Sequence, residues 1–109
     1  MATYEDFEKL DIKVGEIIDI QDFPEARKPS YKVKVNFGPE IGEKVSSVQA
    51  TNYKKEELLG KQILAVCNFP PKNIAGFMSE ILILGVEGED GQLSLVIPSR
   101  KAKLGSKLY

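Results

Sequence analysis

Two short apolar runs on either side of a proline-rich segment limit what this chain can fold into. Residues 63–67 and 81–84 each have the length of a buried strand and are too short for a buried helix. The segment between them contains Pro70 and Pro71, which fix φ at about −65° and stiffen the connection. It also carries four large apolar residues: Phe69, Ile74, Phe77 and Met78. The pattern therefore predicts two strands joined by a stiff loop, which either plugs one end of a barrel or forms a binding site.

Residues 31–37 show the clearest alternation in the chain. One face is apolar (Tyr31, Val33, Val35 and Phe37) and the other is polar (Lys32, Lys34 and Asn36). Period two predicts a half-buried strand with two lysines side by side on its open face. An ordinary solvated face is the preferred interpretation, and a polyanionic partner is the alternative.

The N-terminal residues predict a short helix followed by a long strand. Thr3 and Asp6 have the spacing of a capping box for a helix over residues 4–10. The helix face formed by Phe7 and Leu10 needs a cover, either this domain or a second copy. Residues 11–23 are predicted as a strand whose apolar face has even numbers: Ile12, Val14, Ile18 and Ile20. Glu16 and Ile17 break this alternation, and a bulge at Gly15 would repair both.

The remaining elements complete a small barrel. A helix over residues 52–59, with Leu58 and Leu59 inward, is predicted to end at Gly60. Further strands are predicted over residues 44–50, 62–68, 79–86 and 92–97. This order is that of an OB-fold, a mainly β, five-stranded barrel, here with short helices and terminal extensions. Residues 1–109 form a single domain in this interpretation, with an N-terminal extension over 1–10 and a basic tail over 98–109. Its binding face would include Lys32, Lys34, Ser46 and Gln49.

Composition argues against several function classes. The chain of 109 residues has a net charge of −1, no histidine and one cysteine, Cys67. Histidine-based catalysis and histidine metal sites are therefore excluded, and no constellation of catalytic residues, metal ligands or cofactor-binding residues is recognised. No apolar run approaches the ~20 residues of a membrane helix, so we expect no membrane insertion and a cytoplasmic location.

Three stretches resemble the EMAP-II-like tRNA-binding domain family. Residues 11–17 (Asp-Ile-Lys-Val-Gly-Glu-Ile) are similar to its Asp-Ile-Arg-Val-Gly-x-Ile opening, and residues 23–28 (Phe-Pro-Glu-Ala-Arg-Lys) to its His-Pro-Asp-Ala-x-Lys. Residues 68–79 resemble its Asn-Leu-x-Pro-x-x-x-x-Gly-x-x-Ser. Within this family, residues 6–12, 23–27, 68–71 and 74–77 resemble the CsaA-like export-related chaperones in particular. It departs from the family's Gln-Gly-Met at residues 80–82, which are Glu-Ile-Leu here.

This resemblance implies a homodimer, with the Phe7/Leu10 face and the C-terminal segment as candidate interfaces. The CsaA-like subfamily implies binding of unfolded polypeptides or preproteins in protein export, and the wider family implies binding to the outer corner of tRNA. Lys28 and Ser79 match positions that contact tRNA in the wider family, while Asn68 and Lys72 match its loop.

Two functions are therefore expected. The first is a chaperone-like dimer that binds peptides through Phe69, Ile74, Phe77 and Met78. The second is a tRNA-binding module with six candidate contact residues: Lys28, Lys32, Lys34, Asn68, Lys72 and Ser79. The sequence leaves both open, and one barrel face could serve both.

Overall fold

The computed structural model describes residues 1–109 and is mainly β. The helices are α1 (Tyr4–Glu8) and α2 (Lys55–Leu58). The strands are β1 (Ile12–Asp22), β2 (Tyr31–Asn36), β3 (Glu43–Val48), β4 (Gln62–Val66), β5 (Lys72–Ile74), β6 (Phe77–Ser79), β7 (Leu82–Ile83), β8 (Gly85–Glu87) and β9 (Leu93–Leu95).

Five antiparallel strands form one sheet in the order β3-β2-β1-β4-β7, which curls into a nearly closed barrel and confirms the predicted OB-fold class. Two hairpins, β5–β6 and β8–β9, extend from it. Neither helix is long and apolar enough to cross a membrane.

Strand β1 has its bulge at a different place from the one predicted. The pairing between β1 and β2 shifts between Ile17 and Asp19, so Ile18 is the extra residue and the predicted bulge at Gly15 is wrong. Gly15 has another role, because a Cβ there would lie 2.4 Å from Val35 Cγ1. The strands come this close only because Gly15 has no side chain.

The two faces of β1 serve two separate apolar clusters. Ile17 belongs to the main cluster inside the barrel, together with Val33, Val35 and Phe37 of the second strand. Ile12 and Val14 instead face the outside of the barrel and pack in a smaller cluster with Leu64 and Val66. The predicted even-numbered face is therefore wrong as a single face, since Ile12 and Val14 belong to the smaller cluster while Ile20 packs against the main one.

The C-terminal segment covers the smaller cluster. Leu104 and Leu108 pack against it, and so does Leu10 at the end of the N-terminal extension. The backbone N–H of Leu108 donates to the Ile12 carbonyl at 2.8 Å. Leu10, one of the two residues of the predicted Phe7/Leu10 face, is therefore covered by this domain and needs no second copy to bury it.

Side chains close the gap between β3 and the segment that follows β6. The Glu80 N–H donates to the Val45 carbonyl at 2.9 Å, and a Glu80 carboxylate oxygen accepts the Val45 N–H at 2.9 Å. Next to them, the Ser79 hydroxyl oxygen accepts the Ser47 N–H at 3.1 Å and lies 3.1 Å from the Ser46 hydroxyl. Ser46 is fully buried in this seam, so its predicted place on the binding face is wrong.

Two other predicted elements have different boundaries in the structure. Leu58 is buried as expected, but Leu59 is 57% exposed, since α2 ends before it. The strand predicted over residues 79–86 is interrupted at Leu84, whose N–H donates to Leu64 while its carbonyl accepts from Val96. The chain thereby passes from the barrel to the β8–β9 hairpin, whose turn lies where the sequence predicts it.

Candidate nucleic-acid interface

The proline-rich segment ends in a tight hairpin, β5–β6. Ala75 and Gly76 form its two-residue turn with φ values of 49° and 86°. Positive φ at both central residues is characteristic of a type I′ turn. The Asn73 side-chain oxygen accepts the Gly76 N–H at 2.8 Å and fixes this turn. The pairing places Ile74 opposite Phe77, so these two side chains share one face of the hairpin.

Phe77 fastens the hairpin to the connection between β1 and β2. Its ring meets the buried ring of Phe23 edge to face, with 5.6 Å between the ring centroids. The ammonium of Lys32 lies 4.8 Å from the Phe23 centroid and 5.1 Å from that of Phe77. A cation over two ring faces stabilises this arrangement and holds the lysine in one place. These three residues join strand β2 to the two loops that carry ligands in OB-folds.

The other predicted lysines differ in how free their charges are. Lys34 lies 3.9 Å from Glu43 in an exposed ion pair. Lys28 and Lys72 are exposed and have no carboxylate within ion-pair distance. Lys55, near the end of β1, pairs with Asp22 at 2.9 Å, and this hydrogen bond raises the pKa of Lys55. Lys28 and Lys72 are therefore available for an anionic ligand, and Lys34 is available at the expense of a weak pair.

The two predicted polar contacts, Asn68 and Ser79, have partners inside the domain. The Asn68 side chain accepts the Asp11 N–H at 2.9 Å and donates to the Lys9 carbonyl at 2.7 Å. Asn68 thus fastens the start of the loop to the N-terminal extension. Ser79 is 9% exposed, and its hydroxyl belongs to the barrel seam. Both residues position the loop, and their predicted contact with RNA stays a prediction.

The four predicted apolar residues divide into two pairs. Phe69 and Met78 are 44% and 48% exposed, whereas Ile74 and Phe77 are half-buried. Phe77 is partly covered because its ring packs on Phe23, and its predicted role in peptide binding stays a prediction. The loop combines both interpretations drawn from the sequence, since Phe77 packs on Phe23 while Phe69 and Met78 face solvent.

A family model described as "Putative tRNA binding domain" matches residues 12–107. The chain belongs to this tRNA-binding domain family.

Curated relatives and solved structures agree with this assignment. The chain is 41% identical over 105 residues to a methionine–tRNA ligase of Bacteroides fragilis, covering 96% of this chain and 15% of the ligase. It is also 41% identical over 108 residues to the methionine–tRNA ligase of Pyrococcus horikoshii, covering 98% of this chain and 14% of the ligase. The chain thus spans about one-seventh of the length of these relatives.

Two solved structures match over almost their entire length. A CsaA chaperone from Picrophilus torridus has a TM-score of 0.95 and 53% identity, with all of both chains covered. A CsaA chaperone from Bacillus anthracis has a TM-score of 0.91 and 44% identity, covering 100% of this chain and 99% of the other. The resemblance to CsaA-like members of the tRNA-binding domain family is therefore confirmed.

The geometry explains how this member of the tRNA-binding domain family departs from the pattern at residues 80–82. Glu80 supplies the oxygen that accepts the Val45 N–H, and a glutamine could supply the same oxygen. Ile81 is buried in the main cluster. Leu82, which is 49% exposed, replaces one apolar side chain, methionine, with another. The three substitutions therefore add little apolar surface to this face.

Sequence reasoning missed two residues of this surface. Phe23, which packs against Phe77 and Lys32, stands where the family pattern has histidine. That departure from the pattern could have indicated that Phe23 has a role of its own. Ser47, opposite Lys32, faces outward where Ser46 was predicted to do so. The parity of Val48, which is buried, indicates this orientation, because residues 46 and 48 must share a face.

Proposed function

We propose that this domain is a non-catalytic module that binds tRNA through a basic face formed by Lys28, Lys32, Lys34 and Lys72. The observation that carries the proposal is the position of the Lys32 ammonium over Phe23 and Phe77. It fixes one positive charge between the two loops, and the unpaired Lys28 and Lys72 lie on those loops. A rigid cation flanked by mobile ones suits the regularly spaced phosphates of a folded RNA.

The way this face would recognise RNA follows from its groups. Lysines are point charges that bind phosphate without reading base sequence. Folded RNA is recognised largely through its shape and backbone, and the tRNA outer corner presents such a surface. The face therefore supports recognition of tRNA structure and carries no array of amides or arginines for reading bases.

Binding of labelled tRNA measured across a salt series tests this function. Each cation that neutralises a phosphate adds about 0.7–0.9 to the slope of log affinity against log salt. The variant Lys28→Gln/Lys72→Gln should bind more weakly and lose about 1.5 from that slope. The matched control, Lys9→Gln/Lys103→Gln, removes the same charge from exposed positions outside the face and should keep the wild-type slope. No binding by the wild type at low salt, or equal losses in the two variants, would contradict the proposal.

A second function, chaperone-like binding of unfolded polypeptides or preproteins in the cytoplasm, is favoured by a different observation. Phe69, Met78 and Leu82 lie in or beside the same loop and are each 44–49% exposed. Methionine suits varied partners because its side chain is flexible and polarizable. Two CsaA chaperones share the whole fold.

Delay of aggregation of a denatured client protein tests the second function. Phe69→Ser/Met78→Ser should abolish the delay, because it removes the exposed apolar groups near the basic face. The control, Leu59→Ser/Val86→Ser, removes apolar groups that are 57% and 58% exposed elsewhere, and it should act like the wild type. Wild-type protein that leaves aggregation unchanged would rule this function out.

We also propose that the domain acts as a homodimer. Tyr4 is 70% exposed and its ring lies 6.1 Å from that of Phe7, so α1 presents aromatic surface to solvent. The C-terminal segment is the second candidate interface. Sedimentation equilibrium should give twice the 12.1 kDa chain mass, and Tyr4→Ser/Phe7→Ser should shift it towards the monomer. A wild-type mass equal to one chain across micromolar concentrations would refute the dimer.

A further inference from the structure

A second positively charged cleft lies outside the basic face. It has a volume of about 400 Å³ and is formed where the start of β4 meets the C-terminal segment. Three cations line it, Lys61, Arg100 and Lys101, against one carboxylate, Glu16. None of the proposed residues of the basic face belongs to this cleft.

The cations of this cleft are free of partners within the protein. Lys61, Arg100 and Lys101 form no ion pair, although the Glu16 carboxylate lines the same cleft. The backbone N–H groups of Arg100 and Lys101 donate to no protein acceptor. A cleft with free cations and free N–H donors has the chemistry of a phosphate site.

The wall that carries two of these cations is held in place by a nearby side chain. The Gln62 amide donates to the Ala102 carbonyl at 2.7 Å and accepts the Ala102 N–H at 2.8 Å. This pair of hydrogen bonds replaces a strand pairing and anchors the chain directly after Arg100 and Lys101. Arg100 and Lys101 therefore belong to a backbone segment that is already held in place, which reduces the conformational entropy lost on binding a ligand.

The cleft continues the surface on which Lys32 and Lys34 stand. Glu16 is paired with Asn36 on β2, and Asn36 is polar and on the same side of the strand as both lysines. Along β2, Asn36 is four residues from Lys32, which corresponds to about 13 Å at 3.3 Å per residue. The cleft thus lies beyond the Asn36 end of the basic face. Its residue Glu16 is on β1, one strand away from β2, and Gln62 is on β4, two strands away. A single bound RNA can span this distance.

We propose that this cleft is a second phosphate site, which binds backbone phosphates of the RNA held at the basic face. The inference rests on the proposed tRNA binding and extends its footprint across β1 and β4 to the C-terminal segment. Lys61 and Arg100 supply charge from opposite walls, and the N–H groups of Arg100 and Lys101 supply directed donors. Glu16 opposes binding, since its carboxylate places a negative charge beside the phosphate.

The salt dependence of tRNA binding tests the cleft independently of the basic face. The variant Lys61→Gln/Arg100→Gln should lose about 1.5 from the slope of log affinity against log salt. The control Lys9→Gln/Lys103→Gln has the same net charge and includes a position of the same segment outside the cleft, and it should keep the wild-type slope. Circular dichroism of each variant checks that the fold is retained.

Glu16→Gln provides a second test with the opposite sign. The Glu16 side chain makes no ion pair or hydrogen bond within the protein, so its replacement removes charge without removing a contact. Affinity for tRNA at low salt should rise about three- to tenfold. Glu89→Gln, at an exposed turn position outside the cleft, changes net charge equally and should leave affinity within about twofold of the wild type.

The outcomes separate this inference from the function on which it rests. If wild-type protein fails to bind tRNA at low salt, both are overturned. If it binds and the cleft variant behaves like its control, only the cleft inference is overturned. In that case an NMR titration with inorganic phosphate shows whether the Arg100 and Lys101 amides bind free phosphate, which would assign the cleft to a small phosphorylated ligand. A loss of slope confined to the cleft variant, together with tighter binding by Glu16→Gln, supports the proposal.

Discussion

The Glu80 carboxylate accepts the backbone N–H of Val45 at 2.9 Å, while the Glu80 N–H donates to the Val45 carbonyl at the same distance. One residue therefore satisfies both backbone groups of Val45 at the place where the barrel lacks a full strand pairing. The half-buried position of both residues excludes much of the water that could replace these hydrogen bonds.

Removal of the Glu80 side chain should destabilise the barrel. Glu80→Ala leaves the Val45 N–H without its acceptor, and we expect the free energy of unfolding to fall by about 1–3 kcal/mol. Glu80→Gln keeps an acceptor oxygen and should cost about 1 kcal/mol or less. Urea denaturation measures both, with the exposed Glu89→Ala as a control within about 0.5 kcal/mol of the wild type. Equal effects of the alanine and glutamine variants would show that the hydrogen bond does not matter.

Ser79→Ala separates a structural role from an RNA contact. The substitution removes the acceptor of the Ser47 N–H and a partner of the buried Ser46 hydroxyl. We expect the free energy of unfolding to fall by about 1–3 kcal/mol, with tRNA affinity of the folded protein unchanged. Ser99→Ala, at an exposed position, is the stability control. Weaker tRNA binding without loss of stability would instead establish a direct contact.

Ala75 is the only non-glycine residue with positive φ, at 49°. This conformation brings Cβ close to the backbone and is unfavourable for alanine. Ala75→Gly should therefore raise the free energy of unfolding by about 0.5–1 kcal/mol, as measured by thermal and urea denaturation. Gly76→Ala should lower it by about 1 kcal/mol, although a Cβ there would meet nothing within 4 Å. A destabilised Ala75→Gly variant would show that loop entropy outweighs backbone strain.

Cys67 should be an unreactive thiol at neutral pH. Burial, with a contribution from Asp11, raises its pKa to about 11. Alkylation by iodoacetamide at pH 8 should be slower in the folded protein than in urea, and the folded rate should rise up to about pH 11. Because the unfolded thiol ionises first, the free energy of unfolding should also fall as pH rises from about 9 to 11. Cys67→Ala should lack that part of the pH dependence, and a folded thiol that titrates near pH 9 would contradict the prediction.

The sequence correctly predicted the parts of the fold that depend on a pattern within one short segment. Residues 31–37 alternate cleanly because one face of β2 is inside the barrel and the other outside, and the buried Val33 and Val35 confirm this. The cap of α1 is also local, and the structure has both of its predicted hydrogen bonds. The family resemblance, which rests on three separated stretches, identified the domain family that the comparisons confirm.

The errors arise where distant residues decide the outcome. Ile12 and Val14 point away from the barrel interior because Leu104 and Leu108 cover them there, and no pattern within β1 reveals that cover. Phe77 is half-buried because Phe23 and Lys32 pack against it from another part of the chain, which the pattern of its own segment does not reveal. The cleft containing Lys61 and Arg100 likewise needs two segments to meet, so a scan for local motifs could not detect it.

The C-terminal segment that covers Ile12 and Val14 also determines when this protein can finish folding during its synthesis. The partners of Ile12 and Val14 include Leu104 and Leu108, which are made ninety or more residues later. Until they leave the ribosome, the outer apolar side of β1 stays exposed, because contacts this distant in sequence form late. The nascent barrel is therefore itself a polypeptide with uncovered apolar surface until the segment that contains Leu104 and Leu108 has been made.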